Sequence, residues 1–122
     1  MVEMPGGGLT ALAKTIQERS AETRQVIRSL QLAKDEIRKS KVKTVDLIVR
    51  VLKMDKEAAA ETYDQFLTTL SLTGIPSRTG METLVKAIQS QGRFAGRNVS
   101  FAEIADDRAA TEVAKELGYK IQ

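Results

Sequence analysis

Apolar positions recur at helical spacing from Ser20 to Gly92, in four amphipathic segments separated by short caps and one turn. The first predicts a helix from Ser20 to about Lys39, with Val26, Ile27, Leu30, Ala33 and Ile37 as its buried stripe. Arg24, Arg28, Gln31, Asp35 and Arg38 then line the solvent side. Ser20 is the expected N-cap, with Glu22 in the first turn where the helix dipole favours a carboxylate. Arg38-Lys39-Ser40-Lys41 brings cations to the closing carbonyls.

From Val42 to Lys53 the residues Val45, Ile48, Val49 and Leu52 keep the same period, so a helix is predicted although the β-branched content also suits a strand. Asp55 caps the next helix, whose stripe is Ala59, Tyr63, Phe66, Leu67 and Leu70, and both aromatics read as core rather than as a ligand cage. Gly74-Ile75-Pro76 stops it, because glycine closes a helix and the residue before proline is driven from the α region. Ser77 or Thr79 starts another, with Met81, Leu84, Val85 and Ile88 on one face; Thr79 and Glu82 have capping-box spacing. After a loop at 93–98, Ser100 and Glu103 form a second capping box flanked by Val99 and Ile104. A last helix uses Ala109, Ala110, Val113, Ala114 and Leu117 and closes at Gly118.

The start of the chain is different. Pro5-Gly6-Gly7-Gly8 resists a helix and predicts an extended leader or a short β segment, followed by a short helix within Thr10–Arg19. The predicted fold class is mainly α: five to six amphipathic helices behind an extended or short β N-terminal segment. Residues 1–19 form the leader with its short helix, and residues 20–122 form one helical domain.

Composition narrows the chemistry more than the fold. The 122 residues include neither Cys nor His. Thiolate nucleophiles, Ser-His pairs, zinc fingers and nearly all haem and iron–sulfur sites therefore lack their atoms. Residues 1–53 carry 11 basic and 6 acidic side chains, a balance of +5, and residues 54–122 carry 8 and 10, a balance of −2. The basic half has no aromatic platform, so its cations read as a solvated helix side and no nucleic-acid partner is expected. No apolar run approaches the ~20 residues of a membrane span, and no signal peptide is recognisable in the residues given.

Three constellations hold residue types that could form a site. Gly6-Gly7-Gly8 lacks the second Gly-Lys-Ser/Thr of a phosphate loop. Glu103 with Asp106-Asp107 lacks the loop spacing of a calcium site. Ser40-Lys41-Val42-Lys43 matches a Ser-x-x-Lys dyad but has none of its companion motifs. No catalytic residue, metal site or cofactor is expected.

The order of the segments carries a resemblance. Met4-Pro5-Gly6-Gly7-Gly8-Leu9 leads through Ile16–Ser20 into a helix; Asp35-Glu36-Ile37 closes it; Leu52-Lys53-Met54-Asp55-Lys56-Glu57 forms a junction; then come Tyr63, Thr73-Gly74-Ile75-Pro76-Ser77, Gly80-Met81-Glu82 and Glu116-Leu117-Gly118. This succession resembles the C-terminal part of periplasmic substrate-binding proteins of the nitrate, sulfonate and taurine ABC-transporter type, a group related to thiamine-precursor-binding proteins. The resemblance implies two α/β lobes that close on a small solute and deliver it to an ABC permease, outside the cytoplasm if the parent is exported. This chain would be the helical C-terminal part, with the rest of the lobes as its partners, and only the Gly7-Gly8 backbone would border the solute cleft. The competing reading is a free-standing helical interaction or regulatory module that docks through its basic first half. Helices that cover a sheet in a parent protein leave apolar faces open when alone, and a symmetric dimer of the isolated chain is expected.

Overall fold

Helices occupy nearly every stretch where the period is helical, and the computed structural model, which describes residues 4–121, has no strand among them. The helices are α1 (Ala13–Glu18), α2 (Ser20–Lys39), α3 (Lys41–Leu52), α4 (Lys56–Thr69), α5 (Arg78–Ser90), α6 (Phe101–Ile104) and α7 (Arg108–Glu116). The leader is extended rather than β-paired from Met4 onward, and Met1 to Glu3 lie outside the described residues. Period decides the 42–53 ambiguity in favour of α3, because a strand there would have no partner to take its backbone hydrogen bonds.

Local chemistry sets most of the boundaries. The Asp55 carboxylate accepts from the Ala58 N–H at 2.9 Å and starts α4. The Ser77 hydroxyl accepts from the Gly80 N–H at 3.1 Å, so Ser77 caps α5 rather than Thr79. Glu103 closes the capping box of α6 by accepting from the Ser100 N–H at 2.7 Å. α7 ends at Gly118 (φ 75°), where the Tyr119 N–H reaches back to the Ala114 carbonyl at 2.9 Å and satisfies an otherwise orphaned acceptor. The expectation for Ser20 is corrected: Arg19, not Ser20, stands at the cap position of α2. The Arg19 carbonyl takes the Thr23 N–H, and its guanidinium is bound to Glu22. Without an N-cap side chain, α1 and α2 are separated by a single non-helical residue.

Two seams hold the array. The three-residue connection after Leu52 folds α3 and α4 into a hairpin around Val45, Ala59 and Tyr63, with Ile37, Ile48, Val49, Met54, Ala60 and Leu67 packed about them. Tyr63 is buried and its hydroxyl donates to the Ile37 carbonyl at 2.9 Å, tying the end of α2 to the hairpin. The second seam joins α2 to α7, where Ala110, Val113 and Ala114 are buried. Small residues there let the two backbones approach closely.

The largest correction concerns α2. Its packed face carries Ile27, Gln31, Lys34 and Arg38, while Val26 and Leu30 of the predicted stripe are about half exposed. At roughly 100° per residue the two sets lie about a quarter turn apart. The polar face packs because carbonyls of a neighbouring segment accept from its donors, while the Gln31 side-chain oxygen is buried without a hydrogen-bond partner among the described residues. Phe66 is likewise corrected from core to half exposed, and the predicted Thr10–Arg19 helix shrinks to the six residues of α1. α5 has extended contact with no helix except α6, although its apolar face is well formed.

Candidate functional site

The densest polar cluster lies where α2 meets the α4–α5 connection. The last carbonyls of α4 and those just beyond it have no intrahelical donors. Three side chains on one face of α2 supply them. Arg38 donates to the Leu70 carbonyl at 2.5 Å, Lys34 to the Leu72 carbonyl at 3.1 Å, and the Gln31 amide to the Thr73 carbonyl. Gln31 is 3% exposed and Lys34 8%. Burial pushes the Lys34 ammonium below its ordinary range; Arg38 adds repulsion and Asp35 counters it. The Tyr119 ring lies under that ammonium, 5.7 Å from the ring centre.

Tyr119 closes the cluster from the other side. Its hydroxyl donates to the Asp35 carboxylate at 2.5 Å. Burial, followed by the bond to and the charge of Asp35, pushes its pKa up to about 12. Every charged group here is held by a structural partner. The arrangement is a clasp that fixes one segment against another.

A second polar group spans α2 and α7. Arg24 pairs with Glu112 at 2.9 Å and with Glu116, and Arg28 reaches Glu116 at 3.3 Å. A shallow groove of about 310 Å³, lined by Ser20, Arg24, Gln25, Arg28, Val113 and Glu116, lies over these pairs and is open to solvent. An anion entering it would have to displace carboxylates already on both arginines. Arg24 and Arg28, expected on a solvated side, serve instead as links between helices.

The candidates from the sequence fall apart from one another. Gly7 and Gly8 are in the exposed extended leader, with nothing within 4 Å of where a Cβ would stand. No hydrogen bond joins Ser40 to Lys43 among the described residues, and Lys43 is exposed. Glu103 is held below the usual carboxylate range chiefly by the Ser100 N–H, and Asp106 by the Arg108 guanidinium. Asp107 pairs with Arg78 at 3.1 Å. Among the described residues no cluster of carboxylates is arranged to hold a metal ion, and no helix is long and apolar enough to cross a membrane.

Sequence reasoning missed two parts of the clasp. Gln31, Lys34 and Arg38 recur at i, i+3 and i+7, a polar stripe whose use depends on acceptors far along the chain. Tyr119 had a readable signal: it follows a helix-closing glycine, the position whose side chain commonly folds back on the helix end. No protein-family model matches the chain, and neither a curated protein nor a solved structure matches it.

Proposed function

We propose that this chain is the helical C-terminal portion of a two-lobed solute-binding protein that serves an ABC importer for nitrate, sulfonates, taurine or a similar small solute, and that it is not an enzyme. The order of its segments supports this reading, and one physical observation carries it. The chain exposes 9,352 Å², whereas a compact monomer of 13.4 kDa exposes about 6,500 Å². Part of the exposed apolar surface is on α2, where Val26 and Leu30 face outward, and α5 has extended contact with no helix except α6. Each of those faces is apolar and each belongs to an amphipathic helix, which is the form such helices take when a layer beneath them completes the core.

The partners in this reading are the remaining lobes and, through them, the permease; the location is periplasmic or otherwise extracytoplasmic when the parent is exported. The alternative, a free-standing module docking through its basic half, is weakened by the geometry of its own cations. Arg24, Arg28 and Lys41 are engaged with Glu112, Glu116 and Asp64 within the chain.

Calorimetric titration with nitrate, taurine and alkanesulfonates tests the reading together with inspection of the coding region upstream. The expected results are no saturable heat from this chain alone and an open frame encoding alternating strands and helices before Met1. A saturable complex with any of these solutes, or an in-frame stop immediately upstream, would overturn it.

A further inference from the structure

We propose that residues 77–105 are a hinged arm: α5, the loop after it and α6 swing out together while the α2 clasp and the α2–α7 seam stay closed, with the Arg78–Asp107 pair as the latch. Both ends of this stretch are tied to α2. Upstream, the carbonyls of Leu70, Leu72 and Thr73 are gripped by Arg38, Lys34 and Gln31. Downstream, α7 lies on α2 through Ala110, Val113 and Ala114. The chain between these anchors leaves α2 and comes back to it, so its movement strains neither anchor.

Within the arm the contacts are with itself. α5 has extended contact with no helix except α6. The Gln89 amide donates to the Arg97 carbonyl at 2.7 Å and folds the loop back on α5. Glu103, which closes the α6 cap, also pairs with Arg97 at 3.5 Å. The Arg78 guanidinium lies over the Phe101 ring, 4.3 Å from its centre, and joins the two helices. Among the described residues, the hydrogen bond and ion pair that leave the arm are one and the same, Arg78 to Asp107 at 3.1 Å.

Burial agrees. Gly80 is the one buried residue of the arm among those described, and it is covered by Ser77 and by Pro5 of the leader. The arm gives no large side chain to the buried core of Val45, Tyr63 and Val113. A unit with so few buried apolar contacts opens more readily than the core beside it. The two places where it joins the rest suit a rotation: Gly74 (φ +70°) directly after the clasp, and Ala105, extended at φ −146° and ψ 148°, ahead of α7. The wholly exposed loop at 91–98 is the end that travels farthest. The inference uses contacts within this chain alone and does not rest on the solute-binding reading.

Native-state hydrogen exchange, followed residue by residue, tests it. The amides of Leu84 to Ile88 inside α5 are expected to share one protection factor, at least tenfold below those in the middle of α2 and α7. Asp107→Asn and Arg78→Ala should each raise exchange across these amides by a common factor of about two to five, the range a largely exposed pair gives. Each should also speed the Ala105 amide, which donates to the Phe101 carbonyl at 2.9 Å, and leave the α7 amides unchanged. Val113→Ala weakens the seam, so it should speed exchange in α7 and leave α5 as it was. Amides in α5 as protected as those in α7, no response to either latch variant, an Ala105 amide that ignores them, or acceleration of α5 by Val113→Ala would each overturn the proposal.

Discussion

Gly74→Ala is the sharpest test of the clasp between α2 and the α4–α5 connection. Gly74 has φ +70°, and a Cβ placed on it would run into the Gln31 side chain. Two costs follow. Holding alanine in the left-handed region costs about 1–2 kcal/mol. Pushing the buried Gln31 amide off the Thr73 carbonyl removes a hydrogen bond of about 1 kcal/mol and leaves both groups desolvated. The sum, about 3 kcal/mol, corresponds to a fall in melting temperature of about 10 °C for a chain of this size.

A double-mutant cycle separates the two costs. In a Gln31→Ala background the obstacle is gone, so the same glycine substitution should cost only the backbone share, about 1–2 kcal/mol. Urea denaturation of the four proteins, read as midpoints at constant slope, measures this directly. Equal costs in the two backgrounds, within about 0.5 kcal/mol, would refute the contact with Gln31. A wild-type cost below about 0.5 kcal/mol would refute the left-handed requirement as well.

Val113 is 1% exposed in the α2–α7 seam, and Val113→Ala should cost about 2–3 kcal/mol by lost burial and the cavity left behind; a loss under about 1 kcal/mol would mean the seam is loosely closed. The Arg24–Glu116 pair is by contrast largely exposed, so Glu116→Gln should cost no more than about 1 kcal/mol, and that difference should vanish at high salt. Tyr119 should give alkaline sensitivity. Its pKa is raised to about 12 from 10, so the folded chain keeps a proton that the unfolded chain releases, and stability present below pH 10 is lost as pH rises toward 12. Tyr119→Phe should remove that component; parallel stability curves for the two proteins between pH 10 and 12 would refute the assignment.

Helix existence and type were legible because they depend on near neighbours. The i, i+3, i+4 spacing of Val45, Ile48 and Val49 outweighs β-propensity, and the stop at Gly118 follows from its tolerance of positive φ, whereas α4 ends at Thr69, ahead of the expected stop at Gly74. The caps at Asp55 and Ser77 were legible for the same reason, since each bonds an N–H three residues on. Ser20 misled because a good capping residue needs the chain before it to leave the helix, and here that break falls one position earlier, at Arg19.

The function-bearing features divide in the same way. Lack of cysteine and histidine removes whole reaction classes whatever the fold. The spacing along α2 identified an apolar stripe but not which face would pack. Gln31, Lys34 and Arg38 look like solvated positions until the carbonyls of Leu70, Leu72 and Thr73, some forty residues away, are brought beside them. Burying a polar side chain is unfavourable alone and tolerable once partnered. Periodicity therefore determined which segments are helices and where they end, while only the tertiary arrangement decided which face of α2 is interior and which apolar side chains stay uncovered, because that choice depends on partners distant in the chain.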